Sequence, residues 1–411
     1  MKASDPQRLK AFIEEKAKLC LHPPAGQLKY DYVTPTFSIA PGSDDQAAVP
    51  ERSRTGHYLQ MYDWDSCFFS QAAHRVGISG LARSVVANFL SLRHSDGYVP
   101  RTVSPQRIWD QGDHCKPFLA QALAKELALG GGAKQEQAAE FLRDLDDYLK
   151  YFQQHRRHES GLYHWRNVLE SGVDDNLALL APHEASKDTN EKVGDFPDSS
   201  LLAADLNGYL VAEFRAFAAL AERAGAPALG DRYRSQADGL AALIEQKLWN
   251  ERLGIHCNLD PSTGQQIEIR AWTGLVPALF DAAPPEQAEQ VIRTNILSQE
   301  HFLRPKGLAS VAASEPLYNQ ARRGLYGRAI VSNWQGPVWI LPNALVVRCL
   351  IRHDLKKEAS EISRRAIATL VEGLDATGTL YENYNADTGE ALWAPQFMSW
   401  NVLALELIDL V

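Results

Sequence analysis

The 411-residue chain has no uninterrupted apolar run long enough to cross a bilayer. Its opening stretch, MKASDPQRLKAFIEEKAK, contains no apolar signal core. Both absences argue against a membrane protein and for a cytoplasmic location. Positive charge is also short: 42 Lys and Arg against 51 Asp and Glu leave a net charge of −9. That balance speaks against nucleic acid or an anionic membrane surface as partner. The five cysteines (Cys20, Cys67, Cys115, Cys257, Cys349) are odd in number and scattered, without CxxC spacing. Reduced thiols are expected, with no disulfide framework, no zinc site and no cofactor. No low-complexity tract or Pro/Gly-rich linker divides the chain, so residues 1–411 are expected to form one domain. No repeat of fixed length supports a solenoid.

What is abundant is helical periodicity. Phe141, Leu142, Leu145, Tyr148, Leu149 and Phe152 line one helix face. The pattern predicts twelve helices, near 5–20, 65–77, 79–94, 115–129, 135–154, 200–223, 227–248, 272–282, 285–297, 337–353, 356–373 and 398–410. Tight turns and long connections alternate between them. Helices that follow a long connection are apolar nearly all round, as in Val338-Trp-Ile-Leu. Those that follow a tight turn carry a charged face, as in Lys356-Lys-Glu. A helix apolar on every side must be buried on every side. Six inner and six outer helices in two rings, an all-α (α/α)6 barrel, are therefore expected. All long connections and all inner-helix N-termini would lie at one end.

Polar and aromatic residues gather on those connections. They include Tyr58, Trp64 and Asp65; Arg101, Trp109, Gln111 and Lys116; Glu170, Asp174 and Asp175; Trp334 and Gln335; and Glu382 and Tyr384. Hydroxyl-rich ligands need directional donors and acceptors, and a pyranose packs its apolar face on an aromatic ring. Cleaving a glycosidic bond needs one carboxyl to protonate the leaving oxygen and another to activate water or attack C1. Asp174, with acidic neighbours that would raise its pKa, and Glu382, in a short extended segment, are the candidates. Simpler readings stand beside these. Asp65 before Ser66 has the pattern of a helix N-cap, Asp174-Asp175 that of a solvated turn, and Lys116 that of a snorkelling lysine.

The segments Tyr62-Asp-Trp-Asp-Ser66, Glu170-Ser-Gly-Val-Asp-Asp-Asn176, Asp205-Leu-Asn-Gly-Tyr-Leu210, Asn333-Trp-Gln-Gly-Pro-Val-Trp339 and Tyr381-Glu-Asn-Tyr384 run from the second helix to the last connection. Together they resemble glycoside hydrolase family 63 and its trehalase-like relatives, and most of all the short bacterial members that act on mannosylglycerate or glucosylglycerate. The resemblance implies an (α/α)6 barrel and an inverting, metal-independent mechanism. It implies Asp174 as general acid and Glu382 as general base. Trp64, Asp65 and Tyr58 would line the sugar subsite, with Trp334 and Gln335 facing the same cleft. The chain departs from the family's usual Gln-Pro-Pro at Cys115-Lys116-Pro117, and has Gln335 where many members have Arg. Lys116 and Arg101 are therefore candidates for holding an anionic aglycone. Two rivals remain: a sugar epimerase using His74, His114, His164 or His256 as proton shuttles, and a carbohydrate-binding protein without turnover.

Overall fold

A computed structural model of the chain describes residues 5–37, 58–109, 112–129, 135–184, 198–320 and 332–411. Helix dominates. The described strands are short and lie in two-stranded sheets. All twelve expected helices are present, several of them shorter or differently wound. The first α-helix, Pro6–Lys16, continues as a 3-10 turn over Ala17–Cys20. The 135–154 stretch breaks into Gln135–Ala139 and Leu142–His155, and the 285–297 stretch passes from α-helix to a π-helical Val291–Ile296.

By its internal packing the chain forms two compact units. One comprises Met1–Leu81, Val103–Arg107 and Ile292–Val411; the other comprises Ala82–Thr102 and Ile108–Val291.

In the first unit, every residue of the helix Asp63–Ala72 is buried, as is the run from Ile340 through Val347 in the helix Ile340–Arg352. The helix Lys356–Thr377 packs against the latter. It buries Ala359, Ile362, Ala366, Ile367, Leu370 and Leu374, one face at helical spacing. Asp5 caps the Pro6–Lys16 helix by accepting from the backbone N–H of Gln7 and Arg8. The strands Tyr381–Tyr384 and Ala391–Pro395 form an antiparallel hairpin whose register shifts between Asn383 and Tyr384. The ring of Tyr384 packs where a Cβ on Gly373 would come within 2.6 Å of it.

In the second unit, the helix Ala204–Arg223 is buried along most of its length, polar residues included. It packs on the helix Pro227–Lys247, which buries only Gly230, Tyr233, Ala237, Leu240 and Ile244. These pairs reproduce the expected alternation of all-round apolar and one-faced helices. Two helix N-termini are closed by carboxylates from other helices. Glu126 accepts from the N–H of Ala82 (2.8 Å), at the start of the helix Leu81–Ser91. Glu213 accepts from the N–H of Ala120 (2.7 Å) and Gln121 (3.1 Å), at the start of the helix Leu119–Leu129.

Candidate functional site

In the second unit, the segment leading to Asp174 is a built loop. Asn167 caps the four-residue helix Val168–Ser171 by accepting from the Glu170 N–H (2.9 Å). Gly172 then takes the left-handed conformation at φ 74°. The Ser171 hydroxyl accepts from Val173 N (3.1 Å), and Val173 O accepts from Asn176 N (3.0 Å). A chain of turns thus fixes Asp174 from both sides. Beneath it, Glu170 has no exposed surface. Its carboxylate accepts from the Arg156 guanidinium (2.7 Å at the shortest), His114 N (2.8 Å) and Arg166 N (2.5 Å). Arg101 donates to the carbonyl of Leu169, in the same short helix. Asp174 is half-buried. Burial pushes its carboxyl pKa up, against the opposing pull of the Arg101 and Lys116 charges.

Lys116 is among the largest side chains with no exposed surface, and its carbonyl accepts from the Tyr148 hydroxyl (2.6 Å). Asp205, in the first turn of the 204–223 helix, is also buried. Its Oδ1 accepts from Trp165 Nε1 (3.0 Å) and Leu206 N (2.8 Å). No hydrogen bond from the described residues reaches its Oδ2. Burial pushes Asp205 up to about 6, against the Trp165 and backbone hydrogen bonds and the Lys116 charge.

In the first unit, Glu382 lies on the Tyr381–Tyr384 strand and is buried. The hydroxyls of Tyr58 (3.3 Å) and Ser332 (3.4 Å) donate to its two oxygens. Trp334 stacks on Trp339 with ring centres 3.6 Å apart and planes at 7°. Trp64 and Trp400 pack against this pair at 5.8 and 6.2 Å from Trp334. Gln335 is pinned through its backbone, its N–H to Asn333 Oδ1 (2.7 Å) and its carbonyl to Asn319 N (2.9 Å).

Each unit thus carries groups of kinds suited to a sugar: in the second a half-buried acid on a fixed loop, in the first a buried carboxylate under hydroxyl donors and a group of indole rings. Over residues 58–400 the sequence matches the family described as the mannosylglycerate hydrolase MGH1-like glycoside hydrolase domain. The chain belongs to this family of glycosidases.

The relatives of this MGH1-like chain carry several named activities. A probable mannosyl-oligosaccharide glucosidase of Schizosaccharomyces pombe is 19% identical over 310 residues, covering 67% of this chain and 35% of the relative. A periplasmic trehalase of Salmonella paratyphi C is 21% identical over 312 residues, covering 74% and 46%. The chain thus spans less than half the length of these curated relatives. The solved GH63 mannosylglycerate hydrolase of Thermus thermophilus, in complex with Tris, shares the fold at a TM-score of 0.70 and 18% identity, covering 98% of this chain and 99% of that one. A neutral trehalase from Saccharomyces cerevisiae does so at 0.66 and 13%, covering 98% and 80%. The MGH1-like chain therefore has the largely helical fold of the GH63 and trehalase-like enzymes.

Several sequence expectations change in the folded MGH1-like domain. Glu170 was expected to bind substrate, but its sealed carboxylate, held by Arg156 and backbone donors, serves the loop. Tyr384 was expected to face sugar. It has no exposed surface, and its hydroxyl accepts from Tyr381 N (2.8 Å). Asp65 is no N-cap: the helix starts two residues earlier, at Asp63, and the Asp65 carboxylate accepts from the Ser399 hydroxyl (2.7 Å). Asp174-Asp175 is no solvated turn, since Asp175 is buried, and Lys116 does not snorkel. Gln111 lies outside the described residues. Ser332 beside Glu382, Asp205 and Trp165 are not among the residues to which the sequence reading assigns a role. Asp205 carried one usable signal, an acid in the first turn of a helix that follows a long connection.

Proposed function

We propose that the chain hydrolyses a small α-linked glucoside or mannoside, such as glucosylglycerate or mannosylglycerate, with inversion. In this reading it is one (α/α)6 barrel working in the cytoplasm, where its five cysteines, none of them in a disulfide, would stay reduced. Asp174 protonates the glycosidic oxygen as the C1–O bond breaks, and the aglycone leaves as an alcohol. Glu382 takes a proton from the water that attacks C1. Tyr58, Trp64, Asp65, Trp334 and Gln335 contribute to holding the sugar.

The observation that carries this reading is the state of Asp174. A general acid needs a pKa above the ordinary carboxylate range, and burial on a rigid loop raises this one. The likeness to a solved mannosylglycerate hydrolase over nearly the whole of both chains supports the small substrate.

A panel of glucosyl- and mannosylglycerate, trehalose and α-linked glucose disaccharides, followed by proton NMR from the first minutes, tests it. Release of the β-anomer from one of the glycerates is the expected result. Initial release of the α-anomer would end the inverting assignment. Turnover of trehalose or oligosaccharides alone would favour the second reading, a trehalase or oligosaccharide α-glucosidase, which the curated relatives support.

The epimerase alternative has little support. His114 accepts from Val99 N (3.1 Å) through Nδ1 inside a cage of Tyr148, Tyr151 and Phe152. Burial pushes it well below the usual histidine value, and pushes His256 down to about 4. His164 is tied to the carbonyls of Trp165 and Ser199, and His74 is exposed.

A further inference from the structure

The Tyr58 hydroxyl reaches Glu382 at 3.3 Å. That is longer than the span of about 2.5–3.0 Å usual between two hydrogen-bonded oxygens. A small turn of the phenol is enough to lose such a bond. The phenol oxygen lies at the far end of its side chain, so the placing of the Tyr58 backbone decides whether the bond is made. In the first unit a second hydroxyl fixes that backbone. Thr36 Oγ1 accepts from Tyr58 N (2.9 Å) and donates to Tyr58 O (3.0 Å), using its one hydrogen and one of its lone pairs. Thr36 N adds a longer bond to the same carbonyl (3.4 Å).

The Thr36 segment is in turn tied to the end of the hairpin that carries Glu382. Thr36 forms an antiparallel bridge with Phe397, just beyond the strand Ala391–Pro395. Pro35 O accepts from Met398 N (2.7 Å) and Ser399 N (3.0 Å), and Gln396 O accepts from Phe37 N (3.2 Å). The Tyr58 ring meets Phe397 edge-on, with ring centres 6.0 Å apart. Ala394 and Gln396 hold φ values of 45° and 65°, which residues other than glycine keep only where their surroundings fix them. Thr36 itself has no exposed surface, so it does not touch substrate.

We propose that Thr36 is a positioning residue for Glu382, acting through the Tyr58 phenol. Its hydroxyl ties the Tyr58 backbone to the segment that follows the hairpin, so that donor and carboxylate share one frame. This rests on the reading of Glu382 as general base. The labour of Tyr58 is then divided: its ring lines the sugar subsite and its hydroxyl steadies the base. Losing the tie slows the step in which water is deprotonated and leaves sugar binding in place.

The test measures kcat and KM of the full chain on an α-glycoside that the wild type turns over. The variants are Thr36→Val, Thr36→Ser, Tyr58→Phe and the double variant Thr36→Val with Tyr58→Phe. Valine removes the hydroxyl and keeps the branched shape, whereas serine keeps the hydroxyl. Thr36→Val is expected to lower kcat about five- to tenfold, with KM within about twofold of wild type. Thr36→Ser should recover most of that loss. Tyr58→Phe should lower kcat at least as far, and the double variant should be no slower than Tyr58→Phe alone. Losses that multiply in the double variant would make Thr36 a packing residue and overturn the proposal. So would an unchanged kcat in Thr36→Val, or an equal loss in Thr36→Ser. A raised KM with unchanged kcat in Tyr58→Phe would give the hydroxyl to the sugar and overturn it as well. If Thr36→Val does not fold, Tyr58→Phe decides alone, and an unchanged kcat there overturns the proposal. Wild-type turnover by Glu382→Gln would instead remove the base assignment on which the proposal stands.

Discussion

At the scale of single residues, the carboxylates proposed for chemistry differ in setting from a carboxylate that holds structure. Asp174 is half-buried on a loop fixed by other groups, whereas Glu170 in the same loop is sealed and saturated with donors. Their substitutions should therefore fail differently. Asp174→Asn and Glu382→Gln are expected to lower kcat by about two to four orders of magnitude, with the far-ultraviolet circular dichroism spectrum and urea midpoint close to wild type. Glu170→Ala strands the buried Arg156 guanidinium and should cost about 3–5 kcal/mol of stability in urea unfolding. Normal stability in that variant would mean that the Arg156 pair is not structural.

At the scale of elements, two features govern how helices meet. Gly373 lets the 356–377 helix approach the Tyr381–Tyr384 hairpin. A Cβ there would meet Tyr384 at 2.6 Å, so Gly373→Ala should destabilise by about 1–3 kcal/mol, read from the thermal midpoint. Glu213, which closes the 119–129 helix, is pushed by burial up to about 7 from an ordinary 4.5, despite the backbone donors that oppose the shift. The folded state then holds this proton more tightly than the unfolded chain does. Its stabilising contribution is full below about pH 4.5 and is lost as pH rises toward 7. Wild type should lose more stability between pH 5 and 7 than Glu213→Gln, by urea titration at each pH. Equal losses would show that Glu213 does not titrate there.

These elements were legible in the sequence to the extent that they depend on local periodicity. The 340–352 helix is apolar nearly all round and the 356–377 helix on one face, and that contrast survives in the structure. The short helix Val168–Ser171 and the helix Leu177–Glu184 were not seen. Four residues are too few to show a period, and the second helix lies in what read as a long connection. The candidate acid and base were found as acids among aromatics on those connections. The fates of Glu170, Tyr384 and Lys116 were not legible, because a side chain's partners come from distant segments: Arg156 for Glu170, and Gly373 for the ring of Tyr384.

At the scale of the whole molecule, the absence of disulfides has a measurable form. None of the five cysteines forms a disulfide, all five are buried, and burial pushes the Cys20 thiol far above its ordinary range. The native protein should give almost no reaction with an aromatic disulfide reagent and the full complement of thiols once denatured. Rapid modification of the native state would contradict the packing around them. Among the described residues, no helix is long and apolar enough to cross a membrane.

The parallel indoles of Trp334 and Trp339 carry a further consequence. Two chromophores lying flat against each other share their excited states, so this corner of the molecule absorbs and emits as a unit. Any sugar that tilts one ring would change that optical signal without a label, giving a readout of occupancy in the same sample in which turnover is followed.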